Sequence, residues 1–409
     1  MTEQKIKNLD IRPLALLLGI VLFASPLQAA EKSLKPEKHI GENLAKAGFN
    51  DKDLTDFVFK DCTLDGARFD QAIGSGTKFN GSKGSQVNFS SMSINKADFR
   101  EGSFPLANFR SADLSLAQFN KADLLKANFQ HATLQKANFQ KAILTGALFV
   151  EAIFDEGTNF SNAKLGCAVF VNNSLEKADF SGSDLTGAKF SGVQLQGADF
   201  SGAQVGEVSF TESNLTNADL SKLQFTNASF VGAALVQSNL KKSIFTNSKF
   251  DRAEIHYTRL SGAIFKNCTF SSASFYRTEI SGTDFAGSDL TASTFDLLFL
   301  EGTNFQEAKL KQAKFVVQKF SKVNFSKADL AFADFSGAEF IACDFSGADL
   351  TNTRFENAQA SNCDFRGAKL TNHNWEGQNL ANNHFDSNVR FSGSANSKNK
   401  ELQSKVEDD

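Results

Sequence analysis

Tryptophan occurs once in this chain, tyrosine twice, methionine twice and proline four times, whereas phenylalanine occurs 43 times. A mixed globular core has no need of such a skew, so one structural position is being filled repeatedly. The five cysteines are odd in number and lack the close paired spacing of a disulfide-rich module or a zinc site, so stability has to come from the core. Strong charge of either sign is also missing. The net charge is −3, and −4 once residues 1–29 leave with their three cations and two acids, which argues against a polybasic nucleic-acid binder and against a strongly acidic mimic. Long apolar runs are confined to Leu14–Ala24, too short to span a bilayer comfortably. Lys5, Lys7 and Arg12 precede that run, and Pro26, Ala29 and Ala30 follow it, which is the layout of a secretory signal peptide over residues 1–30. No Cys follows to accept a lipid. Cleavage beside Ala29 and Ala30 fits loosely, because Leu27 or Gln28 would stand at position −3, and an uncleaved anchor is the alternative.

What is present is a period of five. From Leu54 the chain reads Ala97-Asp98-Phe99, Ala107-Asn108-Phe109, Ala112-Asp113-Leu114, Ala122-Asp123-Leu124 and Ala127-Asn128-Phe129, with Phe or Leu in the third slot. These centres run from 54 to 154 in steps of five, slip by one residue, and resume from 160 to 385. Of 67 centres 59 are Phe or Leu, so the register is continuous through both halves. Five residues match neither the helical nor the strand period, so the chain has to bend once per unit. The centre and the small residue two places before it share an inner face, the Asp, Asn or Lys between them points out, and the last two residues make the corner.

The core residues set the coil size. Phe225, Phe230, Leu235, Leu240, Phe245, Phe250, Ile255, Leu260, Phe265 and Phe270 repeat as two Phe and two aliphatics, a period of twenty. Sorted by twenty, Phe285 to Phe385 form one column and Leu290 to Leu370 another. Four faces per coil, with like side chains stacked, follow from this.

In these features the chain resembles the pentapeptide-repeat family, whose loose consensus is A(D/N)LXX. The resemblance covers residues 54–385 and implies an all-β fold, a right-handed quadrilateral parallel β-helix with four pentapeptides per coil. About 17 coils at roughly 4.8 Å each make a rod on the order of 80 Å long. Each buried Phe or Leu contributes roughly 1.5 to 3 kcal/mol before chain entropy is subtracted, enough to sustain the fold without metal or disulfide.

An open β-helix end exposes backbone groups and needs cover. Residues 36–48, within an N-terminal segment 31–53, are predicted as a short capping α-helix: Pro36 suits a first turn, Ile40 and Leu44 share a face, and Gly48 is a stop. Residues 386–409 form a polar tail, expected to be disordered. Gly74 and Gly84 at central positions predict a gap in the core, either a loosened coil or a small loop, and Asp155–Asn159 predicts a bulged corner.

Candidate chemistry is sparse. Cys62, Cys268, Cys343 and Cys363 occupy the small inward position, where buried structural thiols are the plain reading; Cys343 and Cys363 lie twenty apart, on adjacent rungs, which makes them a candidate disulfide. His39, His131, His256, His373 and His384 stand in no helical metal pair and beside no nucleophile signature. Asp mostly precedes the centre throughout, a mark of the fold and no clustered acid–base pair. Neither catalytic residues, metal nor cofactor are assigned. Lys121, Lys126, His131, Lys136 and Lys141 occupy the same corner position of successive units and ring one coil; Asp329, Asp334, Glu339, Asp344 and Asp349 are read as doing likewise near the other end. Such bands are candidate binding surfaces, although each spreads over four faces.

Family members differ in role, and fold does not fix function. The reading is an exported scaffold, in the periplasm first and otherwise a thylakoid lumen or the secreted medium, whose flat faces dock an unidentified protein or envelope component; no nucleic-acid partner and no transmembrane helix in the mature chain are expected. An end-to-end homodimer is a further expectation. The alternatives are a DNA-mimic inhibitor of a nucleic-acid enzyme, as in relatives that shield gyrase, and a carbohydrate-active β-helix enzyme.

Overall fold

A computed structural model describes residues 36–372 and 382–386. The expected signal peptide, most of the polar tail and His373 lie outside the described residues. The described residues fall within one compact unit.

The described chain is an all-β parallel solenoid of about 16 turns. Its regular strands are only three residues long. They are β1 (Lys38–Ile40), β2 (Val58–Lys60), β3 (Leu148–Val150), β4 (Val169–Val171), β5 (Lys189–Ser191), β6 (Gln224–Thr226), β7 (Ile244–Thr246) and β8 (Glu254–His256). There follow β9 (Ile264–Lys266), β10 (Ser274–Tyr276), β11 (Thr294–Asp296), β12 (Phe299–Glu301), β13 (Lys319–Ser321), β14 (Glu339–Ile341) and β15 (Gln359–Ser361). Every pairing is parallel, in sheets β1-β2, β3-β4-β5, β6-β7-β9, β8-β10-β11 and β12-β13-β14-β15, and isolated parallel bridges continue the ladders between them. The offset between partners is twenty residues, as in Phe225 against Phe245, so the coil size read from the core columns is the hydrogen-bonded register.

The corners explain how the chain bends every five residues. After each centre a tight turn closes, as when the Ala47 N–H donates to the Leu44 carbonyl at 3.0 Å. Its third residue has positive φ: 59° at Lys46, 61° at Asp51 and 61° at Asp56. A side chain other than glycine is disfavoured there. The corner N–H is repaid by the next coil, since that of Lys46 donates to the Asp65 carbonyl at 2.8 Å and that of Lys121 to the Gln140 carbonyl at 3.0 Å.

Inside, phenylalanines stack along the rod and meet across it. Phe109 and Phe129 lie 4.9 Å apart with rings nearly parallel, while Phe119 and Phe129 meet edge to face at 5.8 Å. The stacks hand over between faces: the column through Phe160, Phe180 and Phe200 gives way to aliphatics, and one begins at Phe225 and Phe245. Two large and two smaller side chains per level keep a cross-section of constant size filled.

Two expectations are revised and a third is met. Residues 36–48 are not a helix: β1 pairs with β2, Asn43 bridges Thr63 and Gly48 bridges Arg68, so this segment is the first coil. The five-residue spacing His39, Leu44, Phe49 runs into Leu54 and prevails over the four-residue spacing of Ile40 and Leu44, because the next coil supplies a ladder of bonds and a helix here would leave β2 uncovered. Ile40 is accordingly 59% exposed, whereas the His39 ring stacks on Phe59 at 5.1 Å. The coil at Gly74 and Gly84 is neither loosened nor looped. The Gly84 N–H donates to the Ser103 carbonyl at 2.8 Å, Phe104, one coil on, packs against Phe79 and Phe89, and Val87 and the Leu64 carbonyl close on the position. Met92 and Ile94 do the same for Gly74. The slip at 155–159 does form a bulged corner: the offset becomes twenty-one between Asn138 and Asn159, and Asp155 accepts a hydrogen bond from the Lys136 N–H at 2.8 Å.

Candidate functional site

Each pentapeptide presents three side chains to solvent: the residue before the centre, the one after it, and the left-handed corner residue. The first of these has a structural task. Asp98 Oδ1 accepts from the Arg100 N–H at 3.1 Å and Asp184 Oδ1 from the Thr186 N–H at 3.0 Å, so the side chain braces the turn that follows. This accounts for the Asp or Asn that precedes so many centres.

That task corrects the placement of the acidic band. Asp329, Asp334, Asp344 and Asp349 stand before their centres, not at corners, and accept from the N–H groups of Ala331, Ser336, Ser346 and Thr351 at 3.2, 3.0, 2.8 and 2.9 Å. Glu339 lies within β14 and pairs with Lys319 at 3.3 Å. Asp334 also meets Arg354 at 3.3 Å and Asp349 meets Lys369 at 3.1 Å. These carboxylates are braces and ion-pair partners rather than a free anionic ring.

The basic band is at corners. Lys121, Lys126, His131, Lys136 and Lys141 have φ of 59°, 55°, 56°, 57° and 58°. The first four occupy four successive edges and Lys141 lies one coil above Lys121, so the charges encircle the rod. Lys121 reaches Glu101 at 2.8 Å and His131 reaches Glu151 at 3.4 Å, each along the rod to an adjacent coil. Rung-to-rung pairing is the recurring electrostatic motif.

Cys343 and Cys363 do stack. Both are buried free thiols, and the Cys343 N–H donates to Cys363 Sγ at 3.4 Å. The contact with Cys363, together with burial, pushes the Cys343 thiol far up. Burial alone raises Cys268 to about 12. Cys167, by contrast, is exposed at a corner. Among the described residues no group of three His, Cys, Asp or Glu side chains is arranged to hold a metal ion, and no helix is long and apolar enough to cross a membrane. A surface depression of about 390 Å³ beside Ile264, Lys266, Asp284 and Glu307 is open to solvent.

The repeat predicts polar residues at outward positions, and some are not. Leu297, Phe299, Val316, Val317 and Ile341 are exposed around β12 to β14, and the two tyrosines, Tyr257 and Tyr276, meet edge to face at 5.4 Å on the edge that leads to them. The bands drew attention away from these. Their signal was legible as an apolar residue in an outward slot of the five-residue unit.

Family comparison settles what the geometry suggests. A model described as a pentapeptide repeat region matches residues 52–129 and 122–200, and one described as pentapeptide repeats in eight copies matches 284–316, 319–357 and 361–394. The chain belongs to the pentapeptide-repeat family. A third model, the SV2A/B/C luminal domain, matches the intervening residues 199–295. Similar solved structures include HetL, a pentapeptide-repeat protein involved in heterocyst differentiation regulation in the cyanobacterium Nostoc sp. strain PCC 7120, at 19% identity over 67% of this chain and 89% of that one, TM-score 0.20. QnrB1, a plasmid-mediated fluoroquinolone resistance protein, is 18% identical over 57% of this chain and 99% of that one, TM-score 0.27. A pentapeptide-repeat protein from the Arabidopsis thaliana thylakoid lumen is 33% identical over 27% of this chain and 65% of that one, TM-score 0.15. No curated protein matches in sequence.

Proposed function

We propose that this pentapeptide-repeat protein is an exported, non-enzymatic scaffold that docks a protein or envelope partner on its flat outer faces. The observation that carries the reading is the rung-to-rung ion pairing, as at Lys121–Glu101, Lys319–Glu339, Arg354–Asp334 and Lys369–Asp349. Faces of alternating, mutually neutralised charge suit a protein surface better than they suit mimicry of the uniformly anionic DNA duplex. Support for export comes from the N-terminal pattern of Lys5, Lys7 and Arg12 followed by an apolar run, and the match of 199–295 to a luminal domain agrees with it.

The test is fractionation of native cells with mass spectrometry of the mature N-terminus, followed by proximity labelling from the C-terminus. The expected result is a chain beginning near Ala30 in an exported fraction, with envelope or exported proteins labelled. A cytoplasmic chain retaining residues 1–30 would overturn the export reading, and protection of gyrase by the purified protein would replace docking with DNA mimicry.

A further inference from the structure

The four-stranded sheet β12 to β15 carries side chains that the repeat does not account for. Phe299 is 53% exposed at an outward position, with Leu297 and Val317 beside it at corners. Val317 is 72% exposed and has φ of 56°, although a β-branched residue is a true outlier in that region. Folding of the rod gives no reason for either feature, since glycine stands at the equivalent corner one coil on, at Gly337 with φ of 70°.

The outward column through Phe299 reads, at twenty-residue steps, Arg259, Glu279, Phe299, Lys319 and Glu339. Arg259 bridges Glu279, and Phe299, Lys319 and Glu339 are in register through β12, β13 and β14. The Gly282 N–H, donating to the Glu301 carbonyl at 2.9 Å, holds the two sets in one ladder. The column is antisymmetric about Phe299. One rung away on either side stand Glu279 and Lys319, of opposite sign; two rungs away stand Arg259 and Glu339, again of opposite sign.

We infer that this face binds a second copy of the chain, rod against antiparallel rod, about a two-fold axis that passes by Phe299 along the strand direction. That operation reverses the order of rungs within each column. Phe299 meets Phe299 of the second copy, Glu279 meets Lys319, and Arg259 meets Glu339, each pair formed twice. In the neighbouring corner column Leu297 meets its own copy and Tyr257 faces Gly337, a large side chain against a bare backbone. The like-charge meeting of Glu301 with its copy falls on the opposite margin of the strand, where water screens it. A parallel arrangement would have no such match, because each column would face a different one. The inference rests on the outer faces being docking surfaces and assigns one of them its partner.

Among the described residues, overlap centred on Phe299 extends over about seven rungs, an area of roughly 34 Å by 12 Å, or about 400 Å² on each copy. That is the small end of specific interfaces, so the dimer is reversible, with dissociation in the micromolar range. Sedimentation velocity of the purified protein over roughly two decades of concentration reads this directly. Glu279→Lys and Lys319→Glu should each weaken the dimer by roughly tenfold or more, and the two together should restore it to within about threefold, because both contacts return with signs exchanged. Phe299→Cys, placed in a Cys167→Ser background, should cross-link to its own copy under mild oxidation, as only a residue near the axis does. Circular dichroism melts of each variant separate loss of the contact from loss of the fold; they are expected to fall by only a few degrees, because the intrachain pairs that the reversals break, Lys319–Glu339 and Lys241–Glu279, are exposed. A monomer at every concentration, or a dimer indifferent to both charge reversals and without the Phe299→Cys cross-link, as in tip-to-tip pairing, would overturn the inference; neither result bears on the compartment or on proteins labelled in the cell.

Discussion

Alanine at Gly84 should weaken this protein, although the repeat pattern alone says that a side chain is missing there. A Cβ on Gly84 would lie 2.7 Å from Val87 Cγ2 and 2.8 Å from the Leu64 carbonyl oxygen. Val87 can turn, but the Leu64 backbone cannot yield cheaply, because its N–H is held by the Lys83 carbonyl at 2.7 Å. Overpacking of this kind costs about 1 to 3 kcal/mol. Alanine stiffens the unfolded chain and returns about 0.4 to 1 kcal/mol, since φ at Gly84 is not in the left-handed region. The net expectation is a loss of about 1 to 2 kcal/mol. Gly84→Leu should lose more, and Phe104→Leu should rescue part of that loss, because Phe104 follows Gly84 in the same column and packs against Phe79 and Phe89 with ring centroids 6.4 and 5.8 Å apart. Urea unfolding followed by circular dichroism gives the four corners of that cycle. If Gly84→Ala stabilises the protein, or if the Gly84→Leu and Phe104→Leu effects simply add, then the coil is loose and the compensation described here is absent.

Other consequences are open to simpler assays. Val317→Asn should raise stability by about 0.5 to 1 kcal/mol, since asparagine tolerates the left-handed corner that valine resists; a lower melting temperature would contradict this. In the native protein one thiol, Cys167, should react with a thiol reagent at mild pH while Cys62 and Cys268 stay protected, and non-reducing peptide mapping should return Cys343 and Cys363 unlinked; a linked peptide would show that the stacked pair oxidises. Asp364 is held below the usual carboxylate range by its hydrogen bonds with Arg366, at 2.9 and 2.6 Å. With a lowered folded pKa, this pair adds stability above the ordinary carboxylate value near 3.9 and loses it as pH falls through the folded value. Arg366→Gln should therefore raise the Asp364 midpoint in a carboxyl NMR titration and shift acid unfolding to higher pH.

Much of the fold was legible because a period of five leaves the chain few choices. Centres such as Phe225 and Phe245 pair in the structure as their spacing predicts. The first coil was missed for the opposite reason: Ile40 and Leu44 make an acceptable local helix pattern, and only the hydrogen bonds that Val58 and Thr63 offer from the next coil decide against it. Gly74 and Gly84 were misread because a vacancy in one column is filled from another level, which a column taken alone does not reveal. The acidic band was misplaced by two positions in the unit, as from the Lys327 corner to Asp329, and that position decides whether a carboxylate is free or braces a turn.

The sequence by itself determined the solenoid, its four faces and its coil size, since each is a periodicity, and a periodicity survives without coordinates. Only the tertiary structure decided what the outer side chains do. Whether Asp334 is a free binding charge or a partner of Arg354, and whether Phe299 stands among complementary neighbours, depend on contacts made twenty residues away, across rungs roughly 4.8 Å apart.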